Sequence, residues 1–351
     1  TGTKGKSSVA EMVHTIFNAA GYKTALVSGI HFAYPGYDEP NRFKMTMPGR
    51  GFVQNFLGKA RRAGATHAIV EITSEGALQS RHRFLALNGL IVTNIQKEHI
   101  KAHGSFENYV AAKKKIVDAL AASPKKDRVL IVNGDDPITK TFLSAEVPTK
   151  CTFSGAQTPG EFEEANKRAA LTAAEQFGIE KKVAENAVAH MPPIKGRNEH
   201  IDCGQNFTAV VDYAHTPDSL TALYAAHPGK KICVLGNTGG GRDSWKRPVM
   251  GAIADTACDT VILTNEDPYN EDPENIVRDM TTDMQHEPHI IMDRRAAIAK
   301  ALALATPGDT VLISGKGTDP YIMEANGKKT PWSDAQVVRE ELEKVLKKTV
   351  S

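Results

Sequence analysis

The first eight residues, Thr1–Ser8 (TGTKGKSS), constrain the fold most strongly, because they have the form of a phosphate-binding loop that leads into a helix. Gly2 and Gly5 let the backbone curl, so that successive N–H groups converge on anionic oxygens. Lys6 can reach the β- and γ-phosphates of a nucleotide, and the Ser7 hydroxyl can ligate Mg²⁺. The sequence therefore predicts a nucleotide site with these residues: Gly2, Thr3, Lys4, Gly5, Lys6, Ser7 and Ser8.

The amphipathic run that follows, Val9–Ala20, predicts the helix whose positive N-terminal end faces the phosphate. A complete loop of this type has another glycine upstream of Thr1 and follows a buried strand, and the sequence contains neither. It also lacks an initiator methionine, so we expect it to begin inside a longer chain. The alternative is an ordinary surface turn rich in glycine and lysine, which the loop by itself does not exclude.

The bulk composition is that of a soluble globular protein with two domains. Hydrophobic residues make up 41% and charged residues 24% of the 351 residues, a length that exceeds one ordinary core. The net charge is only +2, and no run of lysine and arginine is interleaved with aromatic residues, so nothing indicates nucleic acid as a partner. No apolar stretch reaches the roughly 20 residues that a membrane-spanning helix needs.

The four cysteines, Cys151, Cys203, Cys233 and Cys258, are scattered and form no C-x-x-C motif. Cys233 and Cys258 lie in or near apolar runs, so we expect small buried thiols at both positions. This usage fits a reducing cytoplasm and does not fit a zinc site.

Short apolar runs alternate with helical patterns along nearly the whole chain, which predicts an α/β fold with mostly parallel strands. The predicted strands are 24–28, 67–72, 89–94 and 128–133 in the first half, and 207–212, 231–236, 260–264, 289–292 and 310–314 in the second. Pro192-Pro193 and Gly196 interrupt the pattern. We therefore expect a P-loop ATPase domain at 1–197, lacking its first strand, and a Rossmann-like α/β domain at 198–351.

The strand ends of the first half carry polar residues, and ligands bind at that edge of open parallel sheets. Mg²⁺ prefers hard oxygen ligands, so we expect Ser7, Glu71 and phosphate oxygens to hold one ion. His99 could bind a second ion or orient a carboxylate, although a lone histidine is more often structural. The other candidate ligand-binding residues at these strand ends are Thr46, Thr73, Ser74 and Asn94.

The run from Thr93-Asn94-Ile95 through His99 to Lys113 resembles the Mur ligase family, ATP-dependent enzymes that add amino acids to the peptidoglycan precursor. Glu98 stands where the family pattern has aspartate, which keeps the charge and adds one methylene. The resemblance implies that Lys113 is carbamylated, which would turn a cation into a carboxylate-like ligand for a second Mg²⁺. Without the resemblance, Lys113 would be interpreted as a helix-surface lysine.

The second half continues the resemblance. Gly196–Glu199 (GRNE) is similar to the family's interdomain G-R-x-E motif, and Asp212–Pro217 (DYAHTP) to the loop that surrounds the adenosine. The resemblance thus assigns Arg197, Asp212 and His215 to ATP, although Asp212 could also act as a helix N-cap. Three further segments, 239–248, 264–273 and 314–319, resemble members that add the third residue of the stem peptide, and they imply these amino-acid-binding residues: Arg242, Asp243, Glu266, Asp267, Tyr269, Gly315 and Asp319.

Departures from the family pattern bear on which amino acid is added. Members that select meso-diaminopimelate carry D-N-P-R where this chain has Glu266-Asp267-Pro268-Tyr269. Tyr269 cannot supply the bidentate charge with which arginine holds a second carboxylate. Glu266 and Asp267 suit an ammonium instead, so we expect lysine or another basic amino acid. In addition, G-K-G-H-E appears as Gly315–Asp319 (GKGTD), and the family's β-rich insertion between residues 133 and 160 is shortened.

The resemblance implies carboxylate activation by ATP with one or, more in keeping with the family, two Mg²⁺ ions. A substrate carboxylate attacks the γ-phosphoryl group, whose charge Lys6 stabilises, and the amine of an amino acid then displaces phosphate from the acyl phosphate. The implied partners are small molecules, a UDP-muramyl peptide and an amino acid. We expect a cytoplasmic monomer, and no counterpart of the family's UDP-binding domain is visible in the sequence.

Three other functions stay open at this point. A folylpolyglutamate or cyanophycin-type ligase shares the core, although Gly241-Arg242-Asp243 and Asp267–Asn270 (DPYN) argue against it. A non-catalytic ATP-binding paralogue would account for Glu98, Thr318 and the shortened region. An ordinary P-loop switch protein would leave the whole second half unexplained.

Overall fold

The computed structural model describes residues 1–49, 51–97 and 100–349, and the chain divides into two compact units, Thr1–Pro192 and Pro193–Ser351. We call them the N-terminal unit and the C-terminal unit. The division falls between the two adjacent prolines, a few residues before the predicted boundary at 197/198. Gly196 and Arg197 consequently belong to the C-terminal unit.

The N-terminal unit alternates helices and strands in two sheets. One sheet has the order β3-β2-β1-β4, with β1 and β4 parallel and the β1-β2 and β2-β3 pairs antiparallel; the other, β5-β6-β7, is parallel throughout. The elements in chain order are α1 (Lys6–Ala19), β1 (Thr24–Val27), β2 (His31–Tyr34), β3 (Tyr37–Pro40), α2 (Phe52–Arg62), β4 (His67–Val70), α3 (Ser74–Leu78), β5 (Gly89–Val92), α4 (Ile100–His103), α5 (Phe106–Ala121), β6 (Val129–Asn133), α6 (Pro137–Thr141), β7 (Thr149–Phe153), α7 (Phe162–Gln176) and α8 (Lys181–Ala189).

Two helices of this unit, α1 and α5, carry residues that the sequence predicts for the site. Helix α1 buries an apolar stripe that includes Val9, Val13 and Ile16, and it packs against α7 and α8. Helix α5 begins after an N-cap at Ser105, whose side chain accepts a hydrogen bond from the Asn108 N–H. Within the described ranges, no helix is both long and apolar enough to cross a membrane.

The C-terminal unit contains one six-stranded sheet of order β12-β11-β10-β13-β9-β8, in which only β8 runs antiparallel. This is the predicted Rossmann-like α/β architecture, and its central strands are buried on both faces. The elements in chain order are β8 (Glu199–His200), β9 (Thr208–Asp212), α9 (Pro217–Ala226), β10 (Lys231–Leu235), α10 (Lys246–Ala257), β11 (Thr260–Leu263), α11 (Pro273–Thr281), β12 (His289–Ile290), α12 (Arg294–Leu304), β13 (Thr310–Ser314), β14 (Tyr321–Met323), β15 (Lys329–Pro331) and α13 (Asp334–Thr349).

The strand order decides which loops of this unit can meet. Strands β9, β13, β10 and β11 are successive neighbours and run parallel, so their carboxyl ends lie along one edge of the sheet. The loops that follow these strands carry the motifs at 212–217, 239–248, 264–269 and 315–319. The fold therefore brings four of the predicted motifs to one edge.

A disulfide bond joins Cys233 of β10 to Cys258, the residue that follows α10. The prediction of two separate thiols is wrong at this point, although both side chains are buried as predicted. Strand β10 and the end of α10 pack against each other, and this places the two side chains side by side. Cys151 and Cys203 are free and half-buried. The bond closes the segment that carries the glycine-rich motif at 239–248.

Replacing Cys258 with serine should lower the free energy of unfolding of the C-terminal unit by about 3 kcal/mol, because the disulfide closes a loop with a sequence separation of 25 in the unfolded chain. Denaturant unfolding without reductant measures the effect. A Cys203→Ser variant is the matched control and should unfold like the parent protein. Adding a strong reductant should bring the parent to the midpoint of Cys258→Ser; equal midpoints for parent and variant without reductant would contradict the bond.

Candidate functional site

The phosphate loop is held against the end of β5 by hydrogen bonds to two consecutive residues. The N–H of Thr3 donates to the Asn94 carbonyl at 2.8 Å, and the N–H of Lys4 donates to Asn94 Oδ1 at 2.8 Å. Thr93 Oγ1 donates to the Lys4 carbonyl at 2.5 Å. A Cβ at Gly2 would lie 1.8 Å from Thr93 Oγ1, so only glycine permits this approach. Asn94, predicted as an ATP-binding residue, thus holds the phosphate loop in position through two hydrogen bonds.

The loop ends at Gly5, which has a left-handed φ of 76° and precedes the first turn of α1. A Cβ there would lie 2.0 Å from Asn166 Oδ1 of α7, so the second glycine is also required by close packing. Among the described residues, no side chain caps this helix start, and its N–H groups can face an anion. Lys6 Nζ donates to the Thr3 carbonyl at 2.8 Å, and Ser8 lies half-buried in the first turn. The predicted loop residues therefore surround one helix N-terminus.

Glu71, directly after β4, forms the second part of the site. Ser7 Oγ donates to Glu71 Oε2 at 2.9 Å, and the N–H of Gly29 donates to the same oxygen at 2.8 Å. A Cβ at Gly29 would lie 3.2 Å from Ser7 Oγ and 3.4 Å from Thr46 Oγ1, which shows how closely these side chains surround it. The cluster consists of hard oxygen donors next to a phosphate loop, and such a set fits Mg²⁺.

Lys113 lies in the buried face of α5, so its interpretation as a surface lysine is wrong. Its Nζ donates to the Gly2 carbonyl at 2.7 Å and lies 4.7 Å from the centre of the Tyr109 ring. Tyr109 OH in turn is 2.8 Å from Thr3 Oγ1. Lys6, Glu71 and Lys113 therefore all contact residues of the phosphate loop or of the first turn of α1.

Thr73 and Ser74 lie at the start of α3, close to the same region. Thr73 caps the helix by accepting a hydrogen bond from the Gly76 N–H at 3.0 Å. Ser74 Oγ lies 3.2 Å from Nε2 of His103, a buried histidine that the sequence did not identify as a site residue. Burial lowers the pKa of His103, the charge of Glu75 raises it and that of Lys113 lowers it.

The predicted residue His99, together with Glu98, lies outside the described residues, so its role stays a prediction. Within the described ranges, no group of three or more histidine, cysteine, aspartate and glutamate side chains could hold a metal ion. The oxygens of Ser7 and of a modified Lys113 do not belong to that set of residue types. The magnesium hypothesis therefore depends on Glu71 with these two residues.

Asp136 supports the site, although the sequence analysis did not identify it as a site residue. Its Oδ2 accepts from the Ile95 N–H at 2.6 Å, and its Oδ1 accepts from the N–H groups of Ile138 and Thr139 at the start of α6. The side chain thus caps a helix and fixes the segment that holds the phosphate loop. Because Asp136 and Ile95 are 41 residues apart, local sequence patterns could not reveal the contact.

In the C-terminal unit, Asp212 connects two of the predicted motifs. Its Oδ2 accepts from the Asn198 N–H and its Oδ1 from the Ala214 N–H, both at 2.7 Å. Thr216, whose side chain accepts from the Ser219 N–H, is the N-cap of α9. The alternative reading of Asp212 as a helix N-cap is therefore wrong; it joins the 196–199 segment to the loop after β9.

Arg197, Tyr213 and His215 lie side by side. The Arg197 guanidinium is 4.4 Å from the centre of the Tyr213 ring, a cation–π arrangement. His215 Nδ1 donates to the Tyr213 carbonyl at 2.7 Å, and Lys246 Nζ donates to the His215 carbonyl at 2.8 Å. Two of the three residues that the resemblance assigned to the nucleotide, Arg197 and His215, thus share one aromatic support.

Charges from several strand-end loops act on Tyr213. The charge of Asp319 and then burial raise the pKa of Tyr213 far above its ordinary value, while the charges of Arg197 and Arg242 lower it. Glu266 contributes a smaller upward shift. Such electrostatic coupling requires short distances, so the predicted residues Arg242, Glu266 and Asp319 lie within range of one phenol.

Asp267 is paired inside the protein. Its Oδ1 accepts from Lys316 Nζ at 2.9 Å and from the Met323 N–H at 2.8 Å, and both charged side chains are almost fully buried. Asp267 was predicted to meet a substrate ammonium, and the ammonium that its Oδ1 contacts in this structure belongs to Lys316. The pair fixes the 264–269 loop to the 315–319 loop.

Glu266 differs from its neighbour. Its Oε1 accepts from Thr238 Oγ1 at 2.7 Å, whereas Oε2 is buried and has no hydrogen-bond partner among the residues that the structure describes. Burial raises the pKa of Glu266, and the charges of Arg294 and Lys316 oppose that shift. A Cβ at Gly315 would lie 2.3 Å from Oε2, so the predicted residue Gly315 makes room for this carboxylate.

Tyr269 supports the glycine-rich loop. It has a left-handed φ of 52°, and its N–H donates to the Met323 carbonyl at 3.0 Å. A Cβ at Gly240 would lie 2.8 Å from the Tyr269 ring, so the ring packs directly beneath that glycine. The loop then presents Arg242, which is exposed, and Asp243, which is half-buried.

An acid–histidine cluster lies next to the Glu71 site. His31 Nε2 is 3.1 Å from Glu11 Oε2, and His31 Nδ1 is 2.8 Å from Asp38 Oδ1. Glu11 Oε1 also accepts from Ser28 Oγ at 2.8 Å, one residue before the Gly29 that donates to Glu71. Burial alone would lower the pKa of His31, but its contacts with Glu11 and Asp38 outweigh burial and raise that pKa above the ordinary value.

Comparisons with known proteins give a consistent result. The model of the Mur ligase middle domain matches residues 1–192, and that of the Mur ligase glutamate ligase domain matches residues 196–317. A UDP-N-acetylmuramoyl-L-alanyl-D-glutamate–2,6-diaminopimelate ligase of Thermosynechococcus vestitus is 33% identical over 389 residues, covering 99% of this chain and 76% of the relative. The corresponding ligase of Chromobacterium violaceum is 34% identical over 378 residues, covering 97% and 76%.

Solved structures agree with these sequence relatives. A structure of a UDP-N-acetylmuramoyl-L-alanyl-D-glutamate–2,6-diaminopimelate ligase superposes with a TM-score of 0.62 at 26% identity, covering 98% of this chain and 77% of that one. Escherichia coli FolC with DHPP and ADP superposes with a TM-score of 0.69 at 17% identity, covering 100% and 88%. At that identity, the second likeness concerns the fold alone.

The pKa of His31 leads to a pH-dependent stability. Because its folded pKa is raised, protonated His31 stabilises the fold fully below about pH 6.5, the unfolded value, and this contribution is lost as pH rises through the folded pKa. The difference in unfolding free energy between the parent and His31→Gln should therefore shrink from about pH 6 towards pH 9. Thermal and denaturant unfolding across this range measure it.

His14, whose ring lies near that of His31, provides the opposite control. Burial lowers the pKa of His14 despite the opposing charges of Glu11 and Asp38. Its neutral form is favoured in the fold, so the parent should lose stability relative to His14→Gln as pH falls below about 6.5. Equal pH slopes for the two variants would disprove the assignment.

Proposed function

Because the chain belongs to the Mur ligase family, and is therefore an ATP-dependent acid–amino-acid ligase of cell-wall biosynthesis, we propose that its acceptor is UDP-N-acetylmuramoyl-L-alanyl-D-glutamate. That acceptor is named for its relatives in Thermosynechococcus and Chromobacterium. The observation that carries the proposal is the convergence of Ser7, Glu71 and Lys113 beside the phosphate loop. The added residue would be the third of the stem peptide.

The N-terminal unit supplies the groups for carboxylate activation. The N–H groups at the start of α1 and Lys6 Nζ would bind the β- and γ-phosphates of ATP and stabilise the charge that develops on the transferred phosphoryl group. Two Mg²⁺ ions are expected, with Ser7, Glu71, His99 and carbamylated Lys113 as protein ligands. When bound, they would neutralise phosphate charge.

The buried amine of Lys113 supports the carbamylation hypothesis. The side chain is almost fully shielded from water, and its amine donates to the Gly2 carbonyl in the phosphate loop. Burial disfavours the cationic form of a lysine, and a neutral amine can add CO₂ and release a proton to form a carbamate. That anion would lie beside the expected phosphate and metal positions. The modification thus converts a repelled cation into a metal ligand.

Residues of the N-terminal unit would hold the acceptor, and residues of the C-terminal unit would hold the nucleotide base. We assign Thr46, Thr73 and Ser74 of the N-terminal unit to the acceptor peptide, because they surround the Glu71 region. Arg197, Asp212 and His215 are assigned to ATP on the basis of their motifs and their shared support by Tyr213. The amine that attacks the acyl phosphate would come from the amino acid bound in the C-terminal unit.

We propose a basic amino acid, with L-lysine as first choice, in place of the diaminopimelate named for the relatives. Position 269 carries a tyrosine that packs under Gly240 and offers no positive charge for a second carboxylate. Glu266 and Asp319 are carboxylates in the same electrostatic cluster, and Arg242 and Asp243 are nearby candidates for the α-carboxylate and α-amine. We further propose that the enzyme acts as a cytoplasmic monomer on small molecules, without nucleic acid or membrane contact.

The amino-acid assignment is tested by ADP formation with UDP-N-acetylmuramoyl-L-alanyl-D-glutamate and either L-lysine or meso-diaminopimelate. We expect kcat/KM for lysine to exceed that for diaminopimelate by at least about tenfold, because an unpaired carboxylate in a desolvated site costs more than 1.4 kcal/mol. Tyr269→Arg should shift the preference towards diaminopimelate. Parallel reactions with a folate acceptor test the related folate-ligase function, and turnover there but not with the muramyl acceptor would refute our choice.

The role of Lys113 is tested by Lys113→Ala, with Lys114→Ala as the matched control. Lys114 is the next residue of the same helix, but it is exposed and pairs with Asp118. We expect Lys113→Ala to lower kcat by at least about a hundredfold, because it removes a proposed ligand of the Mg²⁺ that would neutralise charge at the phosphoryl group, while Lys114→Ala stays near the parent rate. Similar rates for Lys113→Ala and the parent would exclude both the carbamate and the catalytic site built around it.

A further inference from the structure

We infer that Arg294 is a positioning residue for the amino-acid site of the C-terminal unit, because it joins the two loops that carry Glu266 and Asp319. The inference rests on the proposed function. Arg294 is the first residue of α12, and neither its sequence context nor the motif resemblance indicated a role for it. Its side chain is almost fully buried.

The guanidinium contacts the ends of both loops. Arg294 Nη2 donates to the Ser314 carbonyl at 2.8 Å, and Nη1 donates to the Asn265 carbonyl at 3.4 Å. Ser314 is the last residue of β13, directly before Gly315, and Asn265 directly precedes Glu266. One rigid planar group therefore bridges the starting points of the two loops.

Asp334 holds the guanidinium from the other side. Its Oδ1 accepts from Arg294 Nε at 2.8 Å and its Oδ2 from Nη2 at 2.7 Å, which is the bidentate geometry of a strong ion pair. The Trp332 Nε1–H donates to Asp334 Oδ1 at 2.7 Å and fixes the carboxylate. These contacts fix the orientation in which the Arg294 guanidinium meets the two loops.

A buried ion pair by itself is weak evidence for stability, because desolvation of the two charges offsets most of their attraction. Apolar residues of similar size could fill the space between the strand ends, but they could not donate to two backbone carbonyls at once. Lysine carries all its donors on one nitrogen and lacks the planar fork, so it could not keep the bidentate contact with Asp334 together with both carbonyls. The geometry therefore favours a role in fixing the loops over a role in packing alone.

The charge of the Arg294 guanidinium also acts on Glu266, the protein carboxylate that is the candidate for binding a substrate ammonium. Its charge faces both Glu266 and Asp267, whereas the ammonium of Lys316 pairs directly with Asp267. The positive charge favours the ionised form of Glu266, which a substrate ammonium would require. Loss of Arg294 should therefore disturb both the position and the charge of the amino-acid site.

The test compares Arg294→Lys with the parent enzyme in ADP formation from ATP, the muramyl dipeptide acceptor and whichever of L-lysine and meso-diaminopimelate the parent uses. We expect KM for the amino acid to rise about tenfold or more, because a displacement of the loops by a fraction of an ångström weakens contacts there. KM for ATP should change less than about twofold. This split distinguishes positioning from general destabilisation, which would lower kcat and leave both KM values unchanged.

Arg295→Lys is the matched control, because Arg295 is the next residue of the helix and its half-exposed side chain pairs with Glu340 and Glu341. It should behave like the parent. Asp334→Asn should raise the same KM as Arg294→Lys, and it decides the question if Arg294→Lys does not fold. An unchanged amino-acid KM in an active enzyme overturns the role of Arg294 alone. A parent enzyme that is inactive with both amino acids overturns the proposed function, and with it this inference.

Discussion

The hydrogen bonds between the phosphate loop and Asn94 are the contacts on which the chemistry of the N-terminal unit depends. A loop that binds phosphate through backbone N–H groups must be ordered before the ligand arrives, because ordering it afterwards would cost affinity. Thr3 and Lys4 are fixed to the strand end through both the backbone and the side chain of Asn94. Their positions then determine where the Gly2 carbonyl meets Lys113.

The C-terminal unit achieves the same order by different means. Its strand-end loops are joined through buried side chains: Asp212 to the 196–199 segment, Asp267 to Lys316, and Arg294 to two carbonyls. Ion pairs of this kind contribute little net stability, but breaking one leaves an unpaired buried charge. These contacts therefore raise the free energy of alternative loop arrangements. Specific geometry, more than stability, is what these contacts supply.

The fold could be predicted from the sequence where burial dominates. Strand Thr310–Ser314 is entirely apolar or small and buried, and it was predicted with the observed bounds. The hairpin His31–Pro40 was not predicted, because its outer strand is fully exposed and shows no alternation of apolar and polar residues. Patterns of apolar residues predict a strand or helix when one of its faces is buried. They do not predict an element that has no buried face.

The site could be predicted only as far as local motifs extend. The phosphate loop was identified because it is a run of consecutive residues, and Glu71 was identified because it lies at the end of a predicted strand. The pairing of Asp267 with Lys316 was not foreseen, since the partners are 49 residues apart and either could have faced a ligand. The disulfide between Cys233 and Cys258 was missed for the same reason. Long-range pairing depends on the register of the sheet, which no local pattern encodes.

The departures at Glu266 and Tyr269 have different physical consequences. A glutamate where related ligases carry aspartate needs room for one more methylene, and Gly315 provides it, since any Cβ there would collide with Oε2. The tyrosine that replaces arginine fills the space under Gly240 and leaves the loop without a cation. The site thus gains reach for its carboxylate and loses a positive charge. The glutamate keeps the charge of an aspartate, so only the tyrosine changes the electrostatic balance, and this loss of a positive charge supports our proposal of a ligand that brings its own positive charge.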